Sequence, residues 1–146
     1  LVGHIKQMAS KHNVKQSNIA YDADGIGDYL TSYLPQAYGF KAQRKPYHQE
    51  NKSVNYASLK AQVHFYACGK IKDGTARCYR TWGEHLETVK LELAWIKIAA
   101  VDDDRKVDVL SKKEVKRELG HSPDITDAIV MRSVFDLIPK SNFFVI

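Results

Sequence analysis

What this chain lacks narrows its chemistry first. It has no apolar run near the roughly 20 residues that a membrane-spanning helix needs, so no membrane partner is expected. No basic-then-apolar leader opens it, and secretion is not expected. Cysteine is scarce, with Cys68 and Cys78 the only two. Their number and spacing fit neither a disulfide framework nor a metal-ligand set, so two free thiols in a reducing compartment are expected. The six histidines are scattered, with no pair at helical ligand spacing. No P-loop occurs, so no ATP binding is assigned to these residues. Low-complexity runs and internal repeats are also missing. The chain opens on Leu1 rather than Met and reads as part of something longer.

What is present describes one globular domain. A length of 146 residues suffices for a single hydrophobic core and is short for two. Apolar residues make up 44% and charged residues 27%, ordinary shares for a folded protein. The net charge of +5 is unevenly spread, with much of the excess in "KAQRKPYHQENK" (41–52) and "GKIKDGTARCYR" (69–80). Basic loops with interleaved tyrosines suit a phosphate backbone, where Lys and Arg displace counterions, although a modest positive charge also serves solubility. Arg44, Lys45, Lys52 and Lys112 are the candidate phosphate contacts, each independent of base sequence.

Val2, Ile5, Met8 and Ala9 recur at helical spacing and predict a helix over 1–12. "NIAYD" (18–22) predicts a short buried strand ending on an aspartate. Gly25 and Gly27 predict a tight turn, "DYLTSYL" (28–34) a helix stopped by Pro35, and "GFKAQ" (39–43) the next strand. Helices are predicted over 54–68, with Gly69 and "KDG" (72–74) as turns, and over 84–96. "IKIAAV" and "KVDVL", flanking "DDDR", predict a β-hairpin over 97–110. In "SKKEVKREL", Ser111 and Glu114 stand at capping-box spacing. Gly120 ends that helix, and Pro123 leads into the last one. Helices alternating with strands imply an α/β sheet flanked by helices, at least partly parallel.

Two acidic stretches carry the functional question. "YDADGIGDYL" holds Asp22, Asp24 and Asp28. As a calcium loop it fails, because Ile26 and Tyr33 stand where ligands are required. As a dinucleotide fingerprint it lacks the third glycine, where Leu30 stands. Two readings stay open: ordinary turn acids, or Asp22 as a carboxylate at the C-terminal end of a strand, where open α/β sheets gather ligands. In "GHSPDITDAIVM", Asp124 and Asp127 share a helix face. They are either a cap with a first-turn charge, or ligands for a hard cation such as Mg²⁺, which takes few carboxylates plus water and phosphate oxygens. His121, three residues before Asp124, is a weaker candidate and reads first as a solvent-exposed loop histidine.

The order "IAYDADGIGDYL", "NYASLKAQ", "VLSKKEVKRELGHSPDITDAIVM" resembles the C-terminal nuclease domain of tailed-phage terminase large subunits. The resemblance runs through most of residues 1–146, and the "SK…LG.SPD..DA" stretch is its most specific part. It implies an RNase H-like mixed sheet flanked by helices and two-metal-ion cleavage of concatemeric double-stranded DNA, supported by Mg²⁺ or Mn²⁺, during genome packaging. It also implies a place in the bacterial host's cytoplasm, with the portal protein and the small terminase subunit as partners of the full-length protein. By position, Asp22 looks like the family's second acid and Asp127 like its last, with Asp124 close enough to assist. Lys112 and the 97–110 hairpin match elements beside the family's cleft. The family's first acid, on an N-terminal strand, has no counterpart here, which implies that the first strands are missing and that these residues alone bind metal weakly or not at all. Three other readings stand beside it: a Holliday-junction resolvase of the same superfamily, a docking module that has kept the fold and lost catalysis, and a nucleotide-binding domain built on "DGIG".

Overall fold

The computed structural model describes residues 1–48, 54–77, 83–99 and 106–139. In chain order its elements are α1 (Val2–Lys11), β1 (Ala20–Asp22), α2 (Leu30–Tyr33), β2 (Tyr38–Phe40), α3 (Leu59–Lys72), α4 (His85–Ala94), α5 (Lys112–Leu119), α6 (Asp124–Met131) and α7 (Val134–Leu137). A single turn of 3₁₀ helix over Gly25–Tyr29 joins β1 to α2.

β1 and β2 run parallel, with Ala20 opposite Tyr38, Tyr21 opposite Gly39 and Asp22 opposite Phe40. Successive side chains of a strand point to opposite faces, and this alternation positions the site. Tyr21 is buried on one face, where Val2 and Ile5 of α1 pack against it together with Ala23 and Leu30. Ala20 and Phe40 face the other way, into the main core of Leu59 and Val63 from α3, Val130 from α6, and Val134 and Leu137 from α7. Each such aliphatic side chain, fully buried, contributes about 1.5–3 kcal/mol. Asp22 lies two residues beyond Ala20, on the same face and at the strand's C-terminal end. The strand therefore carries it to the mouth of the α3–α6 layer.

α3 begins later and ends later than its sequence predicts. Residues 54–57 are extended instead: Val107 donates its N–H to the Asn55 carbonyl at 2.7 Å and accepts the Ala57 N–H at 2.9 Å. Ser58 caps the helix by accepting the Ala61 N–H at 3.1 Å. Gly69 lies inside the helix rather than at a turn. Glycine costs a helix interior ~1 kcal/mol, yet α3 runs on to Lys72, with Lys70 and Lys72 in its last turn. β2 closes at Phe40, short of the expected 43.

The hairpin legs pair antiparallel through Ile98 and Val109, with Ala99 donating to the Asp108 carbonyl at 2.8 Å and Leu110 to that of Lys97 at 3.1 Å. The loop between them lies outside the described residues. α5 starts on the expected capping box, Ser111 and Glu114 each bonding the other's backbone N–H. It ends at Gly120, whose φ of 79° is left-handed. Among the described residues the sheet is thus smaller than the mixed sheet expected, two paired three-residue strands with isolated bridges at Tyr56–Val107 and Ile98–Val109 outside them.

Candidate metal centre

Asp22 is positioned by the turn that follows it. Its Oδ1 accepts the Asp24 N–H at 3.0 Å, and the Asp24 carboxylate accepts the Ala42 N–H at 3.0 Å. Asp24 therefore ties the end of β1 to the segment after β2 rather than facing the cleft. Gly27 folds back against the Asp22 carbonyl so closely that a Cβ there would collide with that oxygen. Gly27→Ala is expected to cost about 1–3 kcal/mol by forcing the turn open, and to displace Asp22 with it. Urea denaturation checks the first effect, and loss of metal affinity checks the second. Asp28 stays outside this arrangement, 3.6 Å from Lys41 on the surface.

Asp127 arrives from the far end of the chain, on the first turn of α6. That helix has no side-chain cap of its own. Its N–H at Thr126 is instead accepted by Oε2 of Glu92, a buried carboxylate of α4, at 2.7 Å. Glu92 thereby fixes the helix that bears Asp127.

Asp22 and Asp127 line one cleft of about 160 Å³, together with Lys60, His64 and Lys112. Phe40, Val63 and Val130 form its apolar floor. The Asp127 side chain is 24% exposed, with His64 Nε2 3.4 Å from its Oδ1 and Lys112 Nζ 3.3 Å from its Oδ2. Burial alone would raise its pKa. It is outweighed by the His64 contact and the positive charge of Lys60, His64 and Lys112, so the carboxyl sits below the ordinary carboxylate range.

Asp124 is far more open, with 71% of its side chain exposed, and bonds Lys112 Nζ at 2.8 Å and Ser122 Oγ at 2.7 Å. The Lys112 bond, followed by that of Ser122, lowers its pKa as well. Lys112 is raised in turn, chiefly by its bond to Asp124. The expected phosphate contact at Lys112 is therefore an ion pair bridging the two acids of α6.

These shifts have opposite pH signatures. The stability contributed by Asp124 and Asp127 is complete above the unfolded value of about 3.9 and is lost as pH falls through their lower folded values. The contribution of Lys112 is complete below about 10.4 and is lost as pH rises through its higher folded value. Between about pH 5 and pH 2.5, wild type should lose more in urea midpoint than Asp127→Asn, which has no such proton to take up.

Among the described residues, no group of three His, Cys, Asp or Glu side chains is placed to cage an ion unaided. Two carboxylates at one cleft suit a hard cation that fills its remaining sites with water and phosphate oxygens.

Of the other expected contacts, Arg44 and Lys45 lie on the segment after β2. Its carbonyls at Ala42 and Arg44 accept the N–H groups of Lys60 and Leu59, the first residues of α3. Buried Gln62 clamps the segment by accepting the Tyr47 N–H at 2.8 Å and donating to its carbonyl at 2.7 Å. Lys45 lines an open cavity of about 500 Å³ with His48, Tyr56 and Lys106. Lys52 and Cys78 lie outside the described residues. Cys68 is a half-buried free thiol, raised in pKa by that burial. His121 stands away from the cleft acids, its Nδ1 3.6 Å from Glu92.

His64, Lys60 and Glu92 are functional candidates that sequence reasoning passed over. The signal for two of them was a titratable residue embedded in an apolar helical run, "QVHFYA" for His64 and "KLELAW" for Glu92.

The fold that carries these two acids is similar to that of a viral nuclease domain. Among the solved structures it matches is the nuclease domain of the large terminase subunit gp2 of bacterial virus Sf6, at 21% identity and a TM-score of 0.57, over 77% of this chain and 63% of that one. A lysine-to-alanine variant of that domain with manganese matches at 20% identity and a TM-score of 0.58. The same variant with manganese and beta-thujaplicinol matches at 0.59. Their coverage is also 77% of this chain and 63% of theirs, so the chain spans less than two thirds of the structures it resembles. No protein-family model and no curated protein matches the sequence. Among the described residues, no helix is long and apolar enough to cross a membrane.

Proposed function

We propose that this chain is the RNase H-like nuclease domain of a viral DNA-packaging terminase, cleaving concatemeric double-stranded DNA with Mg²⁺ or Mn²⁺ in the host cytoplasm. One observation carries the reading: Asp22 and Asp127, at opposite ends of the sequence, line the same cleft. The structural likeness to the Sf6 domain, one form of which was solved with manganese, supports it.

Asp22 and Asp127 are the proposed metal ligands, with Asp124 as an auxiliary group. A pair of divalent cations bound there would activate a water and stabilise the leaving oxygen of a phosphodiester, the chemistry of two-metal nucleases. Lys60, on the cleft wall, and Lys112 would meet the phosphate oxygens, Lys112 doing so once it leaves Asp124. Arg44, Lys45 and Lys52 would track the backbone outside the cleft by charge alone. The portal protein and the small terminase subunit are proposed partners of the full-length protein.

A second reading has an observation of its own. Lys112 already neutralises Asp124 and Asp127, as it would in a docking module of this fold that has lost catalysis. Incubation of the full-length protein with linear, supercoiled and four-way-junction DNA, in Mn²⁺ and in EDTA, separates the possibilities. Mn²⁺-dependent cleavage of linear and supercoiled duplex is the expected result. Cleavage confined to the junction identifies a resolvase, and intact DNA in every arm identifies the docking module.

A further inference from the structure

The open cavity of about 500 Å³ has two walls, each held in place. One is the segment from Lys45 to His48, where buried Gln62 clamps the Tyr47 backbone at both its N–H and its carbonyl. The other is the extended segment 54–57, tied to Val107 through Asn55 and Ala57. Tyr56, on that second wall, stacks on Phe65 of α3, with ring centroids 6.1 Å apart and planes 17° apart. Such a stack covers one face of the tyrosine ring and fixes its plane. The ring also borders the cavity.

Charge at the cavity has one sign. Lys45 and Lys106 line it, and among its described lining residues there is no acid. Burial pushes the Tyr56 hydroxyl up in pKa, so the ring brings no negative charge there. A fixed aromatic plane beside two cations suits a flat ring joined to an anion, which is the chemistry of a nucleotide. The volume falls within the about 300–1,000 Å³ of small-molecule sites. In a duplex each base is already paired and stacked on its neighbours, whereas an unpaired base has a face to offer.

We infer that this cavity seats an unpaired nucleotide of a DNA strand, its base stacked on Tyr56 and its phosphate beside Lys45 and Lys106. This rests on the DNA-binding reading of the chain and goes beyond it, because a backbone tracked by charge alone is bound whether or not its bases are paired. Gln62 borders the cavity and Val63, the next residue of α3, borders the acidic cleft. The seated nucleotide and the proposed cutting site therefore lie along one helix, and a frayed or overhanging end is preferred to a blunt one.

Fluorescence anisotropy of the full-length protein in EDTA tests this with a thymidine hexamer, the same hexamer without bases, and a blunt duplex. The thymidine hexamer is expected to bind at least ~10-fold more tightly than the abasic one. Tyr56→Ala should abolish that difference, Tyr56→Phe should keep it, and Lys45→Ala should weaken both hexamers alike. Equal affinity for the two hexamers in wild type, with the duplex bound, overturns the inference and leaves DNA binding standing. Failure to bind any of the three overturns both. A preference that survives Tyr56→Ala overturns the assignment to this cavity. Thymidine monophosphate bound as tightly as the hexamer makes this a site for free nucleotides and overturns it too. Should Tyr56→Ala fail to fold, ultraviolet cross-linking of a 5-iodouracil hexamer to the wild-type protein decides. An adduct on Tyr56 is expected, and adducts only at other residues overturn the inference.

Discussion

Asp127→Asn is expected to lower Mn²⁺-supported cleavage of duplex DNA by at least ~10³-fold, and Asp22→Asn by a similar factor, since each removes several kcal/mol of charge stabilisation from the transition state. Asn keeps the shape of the side chain and its hydrogen-bonding reach but removes the charge that holds the cation. The double variant should be little worse than either single one, because residues that act as a unit lose their joint contribution when either is removed. Asp124→Asn should cost far less, roughly tenfold or below, the scale of a group that supports ligands rather than being one. Its side chain is mostly exposed, and Ser122 and Lys112 already occupy it. Initial rates on linear duplex over a Mn²⁺ titration measure all four. Equal losses at Asp124 and Asp127 would contradict the division of roles.

The second large effect is on folding rather than chemistry. Glu92→Ala should destabilise the chain by roughly 2–4 kcal/mol, combining a cavity with an N–H of α6 left unpaired in the core. The carboxylate is 1% exposed and accepts the Thr126 N–H from a different helix. Glu92→Gln keeps an acceptor at the same place and should cost about 1 kcal/mol, the difference between a charged and a neutral hydrogen bond. The alanine variant should also weaken Mn²⁺ binding, because α6 carries Asp127. Urea unfolding followed by circular dichroism gives the stabilities. Equal costs for the two variants would show that packing, not the hydrogen bond to α6, is what Glu92 supplies.

How far the sequence could be read depended on whether the controlling interaction was local. The capping box at Ser111 and Glu114 and the left-handed Gly120 were legible because each lies within one turn of the residues it controls. β1 ended on Asp22 as expected, since an apolar run closed by an acid and a glycine turn has few other solutions. The start of α3 was not legible. Val107, distant in sequence, pairs with residues 55 and 57 and holds them extended, and no local propensity reveals that partner.

The site divides in the same way. The acids were legible as types and positions, and their resemblance to a terminase pattern supplied the pairing of Asp22 with Asp127. The neighbours that set their electrostatics were not. His64 and Lys60 reach Asp127 only because α3 and α6 pack against each other, and Lys112 meets Asp124 and Asp127 across the turn that follows Gly120.

The central claim is that Asp22 and Asp127 hold one divalent cation between them. Anomalous diffraction from crystals of the full-length protein soaked in Mn²⁺ tests it most directly. The account predicts a peak in the cleft within roughly 2–2.5 Å of an oxygen of each carboxylate, with Lys112 Nζ drawn away from Asp127. A peak elsewhere, or a cleft without one and Lys112 still bridging Asp124 and Asp127, would contradict it.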